Sequence, residues 1–205
     1  MTATAQTDRV LRLLKRTGAL LEGHFLLSSG LHSDRYFQCA RLLQHPRHAA
    51  RVGRALAALC RPLGAELVVS PALGGVIIGH EVGRALGVRA IFTEREQGVM
   101  RLRRGFTITP GERVLVVEDV VTTGKSTLEA AAAVAAAGGR VVGLASIVDR
   151  SGGVTFPVPF RSLLQLQVAT HAPESCPLCR AGKLPAIKPG SRENPQGTPA
   201  HPGGK

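Results

Sequence analysis

The spacing of apolar residues predicts two helices and a short extended segment in the first third of the chain. Residues 5–22 carry apolar side chains at helical spacing, which predicts an amphipathic first helix that Gly23 ends. Residues 24–27 form a short extended segment, followed by a turn at residues 28–30. Residues 46–60 again have helical spacing, so a second helix is expected there.

From residue 67 onwards, short apolar runs alternate with helical patterns. The predicted strands are residues 67–69, 88–92, 114–117 and 141–148, and the predicted helices are residues 77–86 and 126–137. This alternation is typical of an α/β fold in which a central parallel sheet is flanked by helices. Ligands of such sheets bind beyond the carboxyl ends of the strands, so the candidate chemistry is expected at that edge.

The composition favours one domain followed by an extension. The chain has 205 residues and is 44% hydrophobic, which suits a single domain over residues 1–171. Residues 172–205 are rich in Pro, Gly and charged residues, and residues 191–205 are expected to be disordered.

The net charge of +12 comes from 21 Arg and 5 Lys spread along most of the chain. No basic run is interleaved with aromatic residues, so the charge suits phosphate ligands and does not predict nucleic-acid binding. No apolar run approaches the ~20 residues of a membrane span. Residues 1–6 lack the pattern of a signal peptide, and a cytoplasmic protein without membrane contact is expected.

The most informative segment is an acidic pair followed by a loop of small residues. Glu118 and Asp119 follow the apolar run 114–117, and residues 122–126 lead into a helix. Backbone N–H groups and hydroxyls of such a loop bind a phosphate, while the carboxylates accept hydrogen bonds from sugar hydroxyls. A Walker A loop would need Gly at position 119, so that reading is excluded. The simpler alternative is a capped strand end and helix start.

This segment resembles the phosphoribosyl pyrophosphate signature of type I phosphoribosyltransferases. The resemblance implies that the two acids hold the ribose hydroxyls and that the loop holds the 5-phosphate. The implied binding residues are Glu118, Asp119, Val120, Val121, Thr122, Thr123, Gly124, Lys125 and Ser126. Residues 70–75 resemble the family's pyrophosphate loop, which adds Ala72, Leu73 and Gly74. The implied cofactor is Mg2+, held mainly by substrate oxygens and water.

Other segments resemble the orotate-specific branch of this family. Residues 24–30 resemble its N-terminal orotate-binding segment, part of a hood near residues 20–40, and Arg150 is in the position that contacts the orotate carboxylate. The implied orotate site comprises Ser28, Ser29, Gly30, Tyr36, Phe37, Thr122 and Arg150. The alternatives are an ordinary cap over the core and an Asp149–Arg150 surface pair.

Residues 94–106 resemble the mobile catalytic loop of that branch, which closes over the active site of the partner subunit in a homodimer. With Asp119, the implied catalytic residues are its arginines, Arg95, Arg101, Arg103 and Arg104, which suit pyrophosphate because guanidinium binds phosphate oxygens in pairs. The alternative is a solvated β-hairpin. Many orotate enzymes have Lys at the positions of Ser28 and Gly74, and Lys and His at those of Gly98 and Met100.

Cys176 and Cys179 form a Cys-x-x-Cys pair that looks like half of a zinc ribbon. His171, or a second copy of the pair in a symmetric dimer, could supply further ligands. The alternative is two free thiols in a turn.

The sequence therefore predicts an enzyme that transfers phosphoribosyl groups to orotate. A purine phosphoribosyltransferase is the nearest alternative, and it leaves residues 24–30 and Arg150 without a role. The second alternative is a nucleic-acid-binding regulator that senses phosphoribosyl pyrophosphate.

Overall fold

The computed structural model describes residues 3–27 and 29–189, and these residues form two compact units. The first unit comprises the chain up to residue 21 and residues 37–168. The second comprises residues 22–36 together with the chain from residue 169 onwards. The predicted disorder of residues 191–205 lies outside the described residues.

The helices and strands follow one another largely as the sequence predicts. In chain order they are α1 (Ala3–Arg16), β1 (Leu20–Leu26), β2 (His32–Phe37), α2 (Ala40–Leu43), α3 (Pro46–Cys60), β3 (Leu67–Pro71), α4 (Gly74–Leu86), β4 (Arg89–Glu96), β5 (Val99–Leu102), β6 (Arg113–Val121), α5 (Lys125–Ala136), β7 (Arg140–Asp149), β8 (Phe160–Gln165), β9 (Thr170–His171) and α6 (Pro177–Ala181).

The first unit is built on a six-stranded sheet with the order β5-β4-β3-β6-β7-β8. Strands β4, β3, β6, β7 and β8 are parallel, and β5 pairs with β4 in the antiparallel direction as a hairpin. The predicted α/β class with a central, mostly parallel sheet is therefore confirmed.

The apolar run of β6 is continuous because both faces of the sheet are covered. Val114 and Val116 face one core with α5, which contributes Ala130 and Val134. Leu115 and Val117, one position further along in each case, face the other core, to which α3 and α4 contribute. Successive side chains of a strand point to opposite faces, so a strand covered on both sides has no polar alternation.

The first helix is shorter than its apolar spacing predicts. It ends at Arg16, and Gly18 takes a left-handed conformation with φ of 65°. Leu20 and Leu21 begin β1 instead of continuing the helix. The prediction of helix for residues 17–22 was wrong, because two adjacent leucines fit a strand as well as a helix turn and the left-handed glycine breaks the helix first. Strands β2, β8 and β9 and helices α2 and α6 were not predicted.

The second unit contains the small sheet β1-β2-β9 and the C-terminal segment. Strand β9 pairs with β2 in the antiparallel direction, with His171 opposite His32. Ile187 forms a parallel bridge with Phe25, so the chain returns to β1 near its described end. Within residues 3–27 and 29–189, no helix is long and apolar enough to cross a membrane.

Candidate active site

The acidic pair lies near the carboxyl end of β6. That strand runs on to Val121 and does not stop at residue 117. Glu118 is only 8% exposed, while Asp119 is partly exposed. The backbone N–H of Asp119 donates a hydrogen bond to Glu118 Oε1 at 3.1 Å. Burial, and after it the charge of Asp119, raises the pKa of Glu118 to about 9. The pair therefore favours ligand groups that donate hydrogen bonds.

The loop after β6 forms a small polar pocket at the start of α5. Its lining runs from Val120 to Thr127 and includes Glu118. Gly124 has φ of 76°, and a Cβ there would lie 2.7 Å from a ring carbon of Phe156. Only glycine fits this turn, since a side chain would face both an unfavourable φ and a collision. Backbone N–H groups at a helix start favour an anion, which agrees with the predicted phosphate site.

The predicted pyrophosphate loop packs directly against the acidic pair. A Cβ on Gly74 would lie 2.6 Å from Asp119 Oδ1, and one on Gly75 would lie 2.9 Å from the Val117 carbonyl oxygen. The Ala72–Leu73 peptide bond is cis, and the Leu73 side chain is 87% exposed. Residues predicted to bind the ribose and the pyrophosphate of one ligand thus lie side by side. A lysine at position 74, as in many orotate enzymes, would need the Asp119 carboxylate to move.

Arg150 lies beside the phosphate loop because β6 and β7 are paired. Its backbone N–H donates to the Val121 carbonyl oxygen at 2.8 Å. Its guanidinium carbon stands 5.5 Å from the centre of the Phe37 ring, a cation–π contact. Asp149 accepts a hydrogen bond from the Ser151 backbone N–H at 2.8 Å. Two residues predicted to bind orotate, Phe37 and Arg150, are therefore in contact with each other and near Thr122.

The segment that resembles a mobile loop forms the β4–β5 hairpin, and its four arginines contact glutamates. Arg95 pairs with Glu129 of α5 and donates to the Gly98 carbonyl oxygen at 2.6 Å. Arg104 pairs with both oxygens of Glu94, at 2.7 and 2.8 Å. The remaining two pair with Glu96, at 3.9 Å for Arg101 and 3.3 Å for Arg103. Only the Arg95 pair reaches the helix that follows the phosphate loop.

The remaining orotate residues belong to the second unit. Leu27 and Leu31 flank a turn in which Gly30 has φ of 82° and the Leu27 N–H donates to the Leu31 carbonyl oxygen at 2.8 Å. Ser29 is exposed in this turn, and Ser28 lies outside the described residues. The Tyr36 ring centre is 5.9 Å from that of Phe25.

Sequence reasoning missed three side chains that contact the predicted site residues. Glu129 pairs with Arg95, and its spacing four residues after Lys125 was the available signal. His24 and His32 lie against Cys179, with Cys176 beside His24. The histidine considered from sequence, His171, is not among the four ligand side chains that lie together. No sequence spacing links the two histidines to the cysteines.

The family model described as phosphoribosyl transferase domain matches residues 38–159, which include the acidic pair, both loops and the hairpin. The orotate phosphoribosyltransferase of Heliobacterium modesticaldum is 57% identical over 188 residues, covering 90% of this chain and 98% of that protein. That of Thermotoga maritima is 56% identical over 181 residues, covering 88% of this chain and 96% of that protein.

Solved structures agree with the sequence relatives. Mycobacterium tuberculosis orotate phosphoribosyltransferase in complex with 5-phospho-α-D-ribosyl 1-diphosphate superposes with a TM-score of 0.63 at 30% identity, covering 78% of this chain and 96% of that one. An adenine phosphoribosyltransferase from Thermoanaerobacter pseudethanolicus, at 16% identity and a TM-score of 0.55, shares the fold. The chain therefore belongs to the phosphoribosyltransferases and, within them, to the orotate phosphoribosyltransferase family.

Proposed function

We propose that this protein transfers the 5-phosphoribosyl group of phosphoribosyl pyrophosphate to orotate in de novo pyrimidine synthesis. The products are orotidine 5-phosphate and pyrophosphate. The observation that carries this proposal is the position of the acidic pair between two loops: Asp119 lies against Gly74, and Glu118 lines the pocket of residues 120–127. A ribose with a phosphate at one end and a pyrophosphate at the other fits these three neighbours.

Each part of the first substrate has its own partner. The 5-phosphate accepts hydrogen bonds from backbone N–H groups of residues 122–126, at the start of α5. The ribose hydroxyls donate to Glu118 and Asp119. Proton sharing within this pair leaves an acceptor oxygen for each hydroxyl, since burial keeps Glu118 protonated near neutral pH. The pyrophosphate lies along the backbone of Ala72 and Gly74.

Orotate is recognised by its charge. The Arg150 guanidinium forms a charge-assisted pair with the orotate carboxylate, which uracil lacks. Phe37 is buried and contacts the Arg150 guanidinium, so it helps to position that side chain. Ser28, Ser29, Gly30 and Tyr36 are assigned to orotate binding on their resemblance to the orotate branch alone.

In the reaction, the bond between C1 of the ribose and the pyrophosphate oxygen breaks, and a bond from C1 to the orotate ring nitrogen forms. The leaving pyrophosphate keeps the electron pair of the broken bond and takes up the proton that the ring nitrogen loses. Positive charge develops on the ribose in between, and the carboxylates of the acidic pair hold the sugar in position. Arg95, Arg101, Arg103 and Arg104 reach the pyrophosphate only by exchanging their glutamate partners for it.

The donor set fits Mg2+ that arrives with the substrate. Asp119 offers carboxylate oxygens of the kind Mg2+ prefers. In the described part of the chain, three or more His, Cys, Asp or Glu ligands meet only around Cys176, and that group offers nitrogen and sulfur. Mg2+ held by pyrophosphate oxygens and water would supply charge neutralisation of the leaving group.

We also propose that the protein works in the cytoplasm as a homodimer in which the β4–β5 hairpin closes over the partner's site. The hairpin's glutamate-paired arginines and its exposed Val99 are consistent with a surface that changes partners. Light scattering during size-exclusion chromatography tests the dimer: a mass of one chain at micromolar concentration would refute it.

The transferase proposal is tested by orotate consumption, followed by ultraviolet absorbance with phosphoribosyl pyrophosphate and Mg2+. Adenine, hypoxanthine and uracil serve as control bases. We expect turnover with orotate alone. Turnover with a purine would instead indicate a purine enzyme and remove the role of Arg150. An absence of turnover with every base, together with salt-sensitive DNA binding, would favour the sensor alternative.

A further inference from the structure

Four potential metal ligands from distant parts of the sequence meet in the second unit. They are His24 of β1, His32 at the start of β2, and Cys176 and Cys179 around the first turn of α6. One ligand atom from each side chain lies within 4.8 Å of all the others. His24, His32 and Cys176 are buried, and Cys179 is exposed. All four residues belong to the second unit. The residues assigned to phosphoribosyl pyrophosphate belong to the first unit.

Three nitrogen–sulfur distances within the group are close to those of a tetrahedral zinc site. Both sulfur atoms lie 3.6 Å from His24 Nε2, and Cys179 Sγ lies 3.2 Å from His32 Nδ1. Zn–N bonds of about 2.0 Å and Zn–S bonds of about 2.3 Å place neighbouring nitrogen and sulfur ligands roughly 3.5 Å apart. The His24 Nε2 to His32 Nδ1 distance is 2.8 Å. Small ring rotations that separate these two nitrogens by about 0.5 Å would complete the tetrahedron.

The surroundings also orient His24 as a ligand. Its Nδ1 is 2.9 Å from the Leu184 carbonyl oxygen. A carbonyl can only accept, so Nδ1 carries the proton and Nε2 presents its lone pair to the group. A metal-bound histidine is typically held in this way by a second partner on its other nitrogen. The backbone adds two further bonds between these segments, Ile187 N–H to the His24 carbonyl and Leu26 N–H to the Ile187 carbonyl.

A dithiol redox pair explains this group less well than a metal does. A Cys-x-x-Cys redox pair needs only its two cysteines and an approach for a partner thiol. Here two histidines point ring nitrogens at the same centre, and one of the two sulfurs is fully buried. Four nitrogen and sulfur donors without an open position are the pattern of a closed structural zinc site.

We propose that His24, His32, Cys176 and Cys179 bind one structural zinc ion. The ion ties the β1–β2 hairpin to the segment that begins at α6. Because the described residues of this unit form a three-stranded sheet with few buried apolar side chains, the zinc supplies much of what holds its two chain segments together. None of the four ligands is assigned a role in the transferase reaction, so metal analysis tests the zinc site separately from that reaction.

The experiment is metal analysis of the full, untagged chain purified without chelator. We expect inductively coupled plasma mass spectrometry to find about one zinc ion per chain. Replacement of zinc by Co2+ should give the intense visible bands of tetrahedral cobalt and the ultraviolet charge-transfer band of thiolate ligands. Cys179→Ser and His32→Asn should each lose most of the zinc at a matched free-zinc concentration. Cys179 is exposed, so its variant is expected to fold even if His32→Asn does not.

The matched control is His171→Gln, because His171 lies opposite His32 in the sheet but outside the group. This variant should keep its zinc and its cobalt spectrum. The proposal is overturned if the wild-type chain carries no zinc and gives no tetrahedral cobalt spectrum. It is equally overturned if the isolated chain holds a Cys176–Cys179 disulfide that, once reduced, fails to take up either metal. A loss of zinc in His171→Gln but not in His32→Asn would show that His171 is the ligand in place of His32, and would contradict the proposed ligand set.

Discussion

The acidic pair with its phosphate loop and the His/Cys group of the second unit are assembled in opposite ways. Residues 118–126 are consecutive, and one strand-to-helix connection positions them all. The His/Cys group joins side chains 152 positions apart, and only the pairing of β1, β2, β9 and the C-terminal segment brings them together. The comparison teaches that chemistry carried by one connection is visible in a sequence, whereas chemistry carried by tertiary pairing is visible only in the fold.

The largest effect is expected from Asp119→Asn, which changes the contiguous site without changing its shape. Loss of the carboxylate weakens ribose positioning, so kcat/KM for phosphoribosyl pyrophosphate should fall by roughly 10²-fold or more. Steady-state kinetics with both substrates measures this change. Asp8→Asn, on the exposed side of α1, is the matched control and should keep wild-type kinetics. Kinetics unchanged in Asp119→Asn would remove Asp119 from the site.

Arg150→Ala should give a smaller effect that is specific to one substrate. A charge-assisted pair to a carboxylate contributes about 1.5–3 kcal/mol, so KM for orotate should rise roughly 10- to 100-fold. KM for phosphoribosyl pyrophosphate should stay within about twofold, because β6 and its loop are untouched. Arg161→Ala, at an exposed arginine of β8, provides the control. An equal rise in both KM values would show that Arg150 stabilises the phosphate loop after β6 and does not bind orotate.

Metal removal should affect the region around the His/Cys group and leave the region around the acidic pair unchanged. Treatment of the zinc-loaded chain with a chelator should speed amide hydrogen exchange in residues 22–36 and 170–187, since the tie between these segments is lost. Exchange in β3 and β6 should stay unchanged. Mass spectrometry of exchanged peptides measures both, and re-addition of zinc should restore protection. Equal acceleration in all strands would mean that the two units do not respond separately.

The smallest effect is expected from Glu118→Gln and concerns stability. The pKa of Glu118 is raised from 4.5 to about 9, so the folded chain binds this proton more tightly than the unfolded chain. Between pH 4.5 and about 9, the unfolded chain loses this proton while the folded chain keeps it. The free energy of unfolding therefore falls as pH rises through this range. The neutral amide cannot ionise, so Glu118→Gln should melt a few degrees above wild type at about pH 8, with a smaller difference at about pH 5. Thermal melting at both values tests this; a constant difference would contradict it.

Most of the sheet could be predicted from sequence, as could the strand-to-helix connection that carries residues 118–126. Residues 46–60 are helical as predicted, and the apolar runs at 67–69 and 114–117 lie in β3 and β6. The first helix was overextended to residue 22, because apolar spacing alone does not distinguish a helix turn from a strand start. Strand β8 was missed because its residues, Phe160–Gln165, lack both a continuous apolar run and clear turn residues on each side.

The parts of the site that escaped prediction all depend on packing between elements. The contact of Gly74 with Asp119 follows from the adjacency of β3 and β6. The stacking of Arg150 on Phe37 joins the end of β7 to the end of β2. The ligands His24 and His32 have no distinctive spacing in the sequence, and only half of their group, the Cys-x-x-Cys pair, has one.

An anion that binds the hairpin arginines must displace the glutamates that already pair with them. Arg95, Arg103 and Arg104 each already have a carboxylate as an internal counterion. An incoming anion gains only the difference between its own attraction and that of the glutamate it displaces, so chloride or a single carboxylate gains almost nothing. A pyrophosphate, with several charges on adjoining oxygens, can replace more than one glutamate at once. The hairpin would thereby select ligands by charge density, although the chain as a whole is strongly cationic.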